Sequence, residues 1–211
     1  MKNFKKKILV IGGNSHIIQD FLKVIINKYD VTITYNKHLN LINKFKCNKI
    51  KFDLLKSNTK ILPKKIDYLV ISAATTDMKN KRIKEINYKS IEKITNYANE
   101  KSIKKIIYFS SILVNDYIKI KKKKRPFFYN YAKYKFLTEK YLISNTLDKT
   151  SVYNLRLPGI LCVNANKTFI SKITNDLLFN KDIRIYNKDY KYNNLFTSSE
   201  ISKLILNLLK I

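Results

Sequence analysis

Tyr131 and Lys135 stand four residues apart in the stretch Tyr131-Ala-Lys-Tyr-Lys135-Phe-Leu-Thr-Glu139. On a helix that spacing puts a phenol and an ammonium on one face, one turn apart. A phenol with its ordinary pKa of about 10 is a poor base. A neighbouring cation stabilises the phenolate, so such a pair can pass a proton to or from a substrate oxygen. Tyr129 and Lys133 repeat the spacing. A two-residue shift turns about 200° around a helix, so both pairs cannot face one substrate.

Glycine gives a second lead. Average usage would place about 15 glycines in a chain of this length, and this one has three, Gly12, Gly13 and Gly159. Gly12 and Gly13 follow the apolar run Lys7–Ile11 and precede a helical pattern. At such a strand-to-helix turn, backbone comes close to the pyrophosphate of a dinucleotide. In a chain that has replaced glycine elsewhere, the placement implies a steric need.

Those groups need a scaffold, and the hydropathy pattern supplies one. Apolar runs at Lys7–Ile11, Val31–Tyr35, Ile50–Phe52, Tyr68–Ser72, Lys105–Ser110 and Val152–Leu155 alternate with helical stretches. The helices are expected near Ser15–Asn27, Lys81–Lys101 and Tyr129–Ser144, with a polar loop before the last. The alternation predicts an α/β fold, a Rossmann-like doubly wound parallel sheet. The runs are apolar throughout, as in strands covered on both faces. After Pro158 the pattern weakens to a helix near Phe169–Phe179, a strand near Ile183–Tyr186 and a helix at Ser199–Leu209. The expected organisation is a dinucleotide-binding domain over 1–158 and a short substrate-side appendage over 159–211.

Together the motifs resemble the extended short-chain dehydrogenase/reductases, the NAD-dependent epimerase/dehydratase group. Ile8-Leu-Val-Ile-Gly12-Gly13-Asn14-Ser15-His16-Ile17-Ile18 is similar to that family's opening turn. Phe52-Asp53-Leu54 resembles its adenine-contacting acidic segment, and Ser72-Ala73-Ala74 the strand-four end that lies along the cofactor. Ile86-Asn87-Tyr88 resembles its helix-four asparagine, and Ile106-Ile-Tyr-Phe-Ser-Ser111 the strand carrying the active-site serine. Leu155-Arg-Leu-Pro158-Gly159 resembles the segment whose proline lies near the nicotinamide. The resemblance spans roughly residues 7–200. It implies Tyr131 as acid/base, Lys135 bound to the nicotinamide ribose, and Ser111 bound to the substrate oxygen. It favours Tyr131 over Tyr129, because Ala132 and Glu139 sit where the family places such residues.

Departures from the family sharpen the expectations. Its Gly-x-x-Gly-x-x-Gly fingerprint reads Gly12, Ser15 and Ile18 here. Strand two ends in Asn36 and Lys37, without the carboxylate that selects a ribose 2′-hydroxyl. A cation there suits a 2′-phosphate, so NADP is expected, with NAD as the alternative. Family dehydratases carry an Asp-Glu pair where this chain has Ile112-Leu-Val, which disfavours dehydration. A reductase or epimerase of nucleotide sugars is the expectation; the alternative is a non-catalytic NAD(P)-binding relative with a degenerate fingerprint. The basic loop Lys119–Arg125 either meets a substrate diphosphate or is merely solvated. A homodimer through the helix-four and active-site helices is expected by the same resemblance.

Composition excludes other classes. The chain has 211 residues, 45% of them hydrophobic, enough for a real core. Cys47 and Cys162 form no CxxC pair, which argues against a disulfide scaffold or cysteine zinc site and fits a reducing compartment. The basic N-terminus leads only four apolar residues to the glycines, too few for a signal peptide. No run approaches the roughly 20 residues that span a bilayer. A cytoplasmic protein without a membrane partner is expected. The formal charge of +28 comes from 39 lysines and 4 arginines spread along the chain. Arginine is the preferred fork for phosphate and base edges, and Lys, Ile and Asn share A/T-rich codons. The charge is therefore read as a solvated surface, without a nucleic-acid partner. His16 and His38 stand apart from acidic residues, so no metal site is expected.

Overall fold

The structure, a computed structural model, describes residues 5–120, 127–162, 169–183 and 195–211. Six parallel strands form one sheet in the order β3-β2-β1-β4-β5-β6. They are β1 (Lys7–Ile11), β2 (Asp30–Tyr35), β3 (Asn48–Lys51), β4 (Tyr68–Ile71), β5 (Lys105–Ser111) and β6 (Ser151–Leu157). The strand order reverses between β1 and β4, and open α/β sheets generally take ligands at such a point, outside the carboxyl ends of the strands.

Alternation along β1 shows why its run is apolar throughout. Ile8 and Val10 face one helical layer, where they pack with Ile18, Phe21 and Leu22 of α1 (His16–Ile25). Leu9 and Ile11 face the other, with Ile91, Ile94 and Tyr97 of α2 (Ser90–Glu100). Both faces are covered, so each position must be hydrophobic. The edge strands differ from that expectation: β3 and β6 are largely half-buried. Only one neighbour strand and thinner helical cover protect them.

Three further features depart from the pattern. The stretch expected as a loop after β5 contains a helix, α3 (Leu113–Lys119), whose Val114 is fully buried. The helix expected from Lys81 begins with a π-helical turn at Glu85–Lys89 that runs into α2. Beyond β6, β7 (Gly159–Leu161) pairs in parallel with β8 (Leu195–Thr197) as a separate two-stranded sheet. Three-residue strands are too short to leave a periodic signal. The strand expected at Ile183–Tyr186 lies, past Ile183, outside the described residues.

Helix α5 (Phe169–Leu178) precedes β8, and α6 (Ser198–Lys210) closes the chain. Thr197 and Glu200 form a capping box that starts α6. Its Ile201, Ile205 and Leu209 join the same cluster as α1. Helix α4 (Tyr129–Asn145) is built differently. Its buried face carries Ala132, Lys135, Thr138, Glu139 and Leu142, three of them polar or charged. A helix that turns such a face to the core is arranged for something beyond packing.

Candidate functional site

At the end of β1 the chain turns through Gly12, whose φ is +99°. A Cβ there would lie 2.5 Å from the backbone nitrogen of Ala73, just past β4. One at Gly13 would meet Ile33 and Thr34 of β2 at 3.2 Å. The steric need read from the sequence is therefore met within the protein, by the close approach of β4 and β2 to this turn. Ser72 ties the turn down, donating to the carbonyls of Ile11 (3.2 Å) and Gly12 (2.9 Å). The Gly13 and Gly12 amides bond to Thr34, and Ser15 N–H donates to the Gly12 carbonyl.

This turn fits a diphosphate group on three observations. Ser15 precedes α1 without a side-chain cap, and no acidic residue occupies the helix's first turn. The free N–H groups and dipole there favour an anion. Asn14 donates its amide to the His38 carbonyl at 2.6 Å, while its Oδ1 is buried with no partner. His16 is exposed and Ile17 half-buried at the start of α1. Ile18, where the family has its third glycine, is fully buried against the sheet.

The carboxyl end of β2 holds a surprise. Asn36 and Lys37 are exposed, as a loop position requires. The Asn36 amide reaches Asp53 Oδ2 at 3.3 Å. Asp53 also accepts from the Leu55 and Lys56 amides, and the Leu55 bond chiefly holds its carboxyl below the usual range. Asp53, two residues past β3, is thereby tied to the end of β2. Leu54 packs half-buried against the α2 layer.

Catalytic candidates meet at the end of β5. Ser111 is buried, accepts from the Leu113 amide at 3.3 Å and stands beside the Tyr131 phenol, whose charged form it favours. Lys135 lies one helical turn on and is 2% exposed. Its Nζ donates to the Phe109 carbonyl at 2.6 Å and lies 4.7 Å from the Tyr108 ring and 5.9 Å from that of Tyr131. Burial pushes its pKa down to about 7, against an opposing pull from Glu139. Burial also raises the Tyr131 pKa, and only Ser111 counters it. The balance leaves Tyr131 a phenol at neutral pH. Tyr129 points elsewhere, its ring 5.2 Å from Tyr117 of α3.

Asn87 sits in the π-turn, where both ends of its amide bond the Thr75 backbone, at 2.8 and 2.9 Å. Its own carbonyl accepts from Thr138 of α4 at 2.7 Å. It thereby links the loop after Ala73 and Ala74 to α4. Pro158, half-buried, follows β6, whose Leu157 carbonyl accepts from the Ile112 amide beside Ser111. Lys119 ends α3, and residues 121–125 of the basic loop lie outside the described residues.

Sequence reasoning missed a buried network behind this site. Glu139, 4% exposed, accepts from Ser110 at 2.5 Å and from Arg156 at 2.7–3.2 Å. Arg156 also donates to Asn115 of α3 at 2.7 Å. A signal existed: Arg156 is one of only four arginines, and it lies in a strand. Two grooves lie away from the Ser111–Tyr131 pair, one at the amino edge of the sheet beside Lys7, Asp30 and Asn48, and one beside α2 that includes Leu54. Among the described residues, no three His, Cys, Asp or Glu side chains gather as metal ligands, and no helix is long and apolar enough to cross a membrane.

No protein-family model matches the chain, and neither does any curated protein sequence. Solved structures do. A UDP-N-acetylglucosamine 4-epimerase from Methanobrevibacter ruminantium M1, in complex with UDP-N-acetylmuramic acid, is 24% identical over 95% of this chain and 71% of its own, with a TM-score of 0.79. A UDP-glucuronic acid 4-epimerase from Bacillus cereus, in complex with NAD, has a TM-score of 0.81 at 15% identity, over 97% and 72%. The Bordetella bronchiseptica enzyme WbmH, in complex with NAD+, has 0.75 at 16%, over 98% and 73%. At these identities the likeness establishes the shared fold.

Proposed function

We propose that the chain is an NAD(P)-dependent reductase or epimerase of nucleotide sugars, a member of the extended short-chain dehydrogenase/reductases. The observation that carries this is the gathering of Ser111, Tyr131 and buried Lys135 at the carboxyl end of the sheet that also holds the Gly12 turn. The solved neighbours, whose names include UDP-sugar epimerases and whose complexes include NAD, support the class.

A bound nicotinamide supplies or accepts the hydride in this chemistry. The chain's own residues handle the proton. Tyr131, held as a phenol, is poised to give its proton to a carbonyl oxygen that Ser111 orients. In the reverse direction it takes the proton back, and Lys135 then offsets the phenolate charge. A pKa of about 7 lets Lys135 gain or lose a proton near neutral pH. Asn14, Ser15, His16 and Ile17 would hold the diphosphate at the start of α1. The region after Pro158, residues 159–211, is assigned the substrate side.

The dinucleotide is NAD(H) in this proposal. Asn36 and Lys37 alone point to NADP(H), but Asp53 brings a carboxylate to the end of β2. A carboxylate there accepts ribose hydroxyls and repels a 2′-phosphate. The reading includes the cytoplasm as the compartment and a homodimer through the outer faces of α2 and α4. Light scattering that shows a monomer at high salt would reject the dimer.

The test is direct. The purified chain is titrated with NADH and NADPH, then incubated with NAD+ and UDP-N-acetylglucosamine or UDP-glucuronic acid while NMR follows sugar stereochemistry. Isomerisation, or reduction with NADH, supports the proposal; no binding of either dinucleotide overturns it. Binding without turnover selects the non-catalytic alternative, which Ser15 and Ile18 in the fingerprint favour.

A further inference from the structure

Ser111 lies in the short segment from Ser110 to Asn115, which leads from the end of β5 into α3. Both ends of that segment are tied to one ion pair. Ser110 and Arg156 stand opposite each other in the β5–β6 ladder. Both donate to Glu139 of α4. Ser110 reaches Oε1 at 2.5 Å, Arg156 Nε reaches the same oxygen at 3.0 Å, and Nη2 reaches Oε2 at 2.7 Å. The third guanidinium nitrogen, Nη1, donates to Asn115 Oδ1 at 2.7 Å. We propose that the Glu139–Arg156 pair is a clamp that positions Ser111, gripping residue 110 through Glu139 and residue 115 through Arg156. The clamp fixes where the Ser111 hydroxyl stands beside Tyr131. This deepens the proposed function and rests on it for the catalytic meaning of Ser111, though not for its first test.

Placement, more than stability, is what such a pair supplies. Burying two charges costs much of what their attraction returns, so apolar side chains of similar volume often serve stability as well. A bidentate arginine instead fixes a carboxylate's place together with its own. The choice of cation says the same. The chain has 39 lysines and 4 arginines, yet it keeps arginine at 156. Lysine would neutralise Glu139, but its single nitrogen cannot span both carboxylate oxygens and Asn115 as a planar fork does. Between the two gripped ends the backbone is held as well. The Ile112 amide donates to the Leu157 carbonyl at 3.0 Å, and the Leu113 amide to the Ser111 hydroxyl at 3.3 Å. The pair thus acts on Ser111 through its chain neighbours, as a positioning device.

The experiment starts from Asn115, whose bond to Arg156 lies at the surface, so that its loss spares the fold. Amide hydrogen exchange is followed by NMR in the full chain, without cofactor or substrate. Asn115→Ala should speed exchange at Ile112 and Leu113 by about tenfold or more, while the β1 and β4 amides keep their rates. Asn115→Asp keeps the acceptor and should restore the wild-type rates. Arg156→Lys keeps the charge, loses the fork, and should behave like Asn115→Ala. Unchanged exchange at residues 112 and 113, or a rise as large throughout the sheet, overturns the proposal. Wild-type exchange in Arg156→Lys also overturns it. A second arm applies once the wild type is shown to convert a nucleotide sugar. Asn115→Ala should then lower kcat roughly ten- to a hundredfold, as misplacement of a reacting group does, with NADH affinity kept. In a Ser111→Ala background the same change should add nothing, because the group being positioned is gone. An equal drop in both backgrounds marks a merely structural effect and overturns the proposal. A chain that turns over no nucleotide sugar can still pass or fail the exchange test, so the two ideas fail separately.

Discussion

The Gly12 turn and the α4 face lie at the same end of one sheet, yet they are specified by opposite means. The turn is a matter of backbone sterics: a left-handed glycine, a neighbouring chain 2.5 Å from an added Cβ, and bonds among main-chain groups. The α4 face is a matter of buried charge: a lysine and a glutamate taken out of water and satisfied by named partners. The turn keeps glycine at its tightest position, Gly12, while Ser15 and Ile18 stand at the other two fingerprint positions. A desolvated cation has no such slack, because leaving it unpaired costs several kcal/mol.

If the turn is set by sterics, Gly12→Val should be the most damaging single change. Positive φ and collision with the Ala73 backbone together should remove about 3–5 kcal/mol of stability. Chemical denaturation checks this, and a loss below about 1 kcal/mol would break the contrast.

The charged half should reveal itself through pH. In the folded chain Lys135 has a pKa of about 7, against 10.5 for an ordinary lysine. Between those values the unfolded chain holds more protons, so stability rises with pH across that window. The rise should amount to about 2 kcal/mol between pH 7 and 9. Lys93, shifted in the same direction, adds a smaller part. Lys135→Met should remove most of the slope, which thermal unfolding at stepped pH can measure. An unaltered slope would mean the charge is not where the fold puts it.

Asp53 tests the border between the two regions. NADH should bind more tightly than NADPH, and Asp53→Asn should narrow the gap by about tenfold, the worth of one charged contact. Calorimetric titration of both dinucleotides decides it. A wild-type preference for NADPH would return the choice to Lys37.

Legibility in the sequence follows the same division. Strands β1, β4 and β5 are readable because burial on both faces forces uninterrupted apolar runs. The glycine turn and the Tyr131–Lys135 spacing are local, so they too can be read along the chain. What hides is whatever the fold assembles from distant segments. Asp53 reaches Asn36 from 17 positions away, and Arg156 reaches Glu139 over the same separation. Helix α3 hides for another reason: seven residues with one fully buried side chain leave too little periodicity to distinguish from a loop.

The central claim is that one face of α4 handles the proton, and two tyrosines on that helix test it. Tyr131 lies on the face of α4 that carries Lys135, beside Ser111, whereas Tyr129 packs its ring on Tyr117. On a substrate that the wild type converts, turnover is compared for Tyr131→Phe and Tyr129→Phe, with NADH affinity measured in both. The account predicts that Tyr131→Phe loses roughly 10²–10⁴-fold in rate with binding nearly intact, as expected for a lost general acid. Tyr129→Phe should keep its rate. A dead Tyr129→Phe beside an active Tyr131→Phe would contradict the assigned face, and two active variants would contradict the proton chemistry altogether.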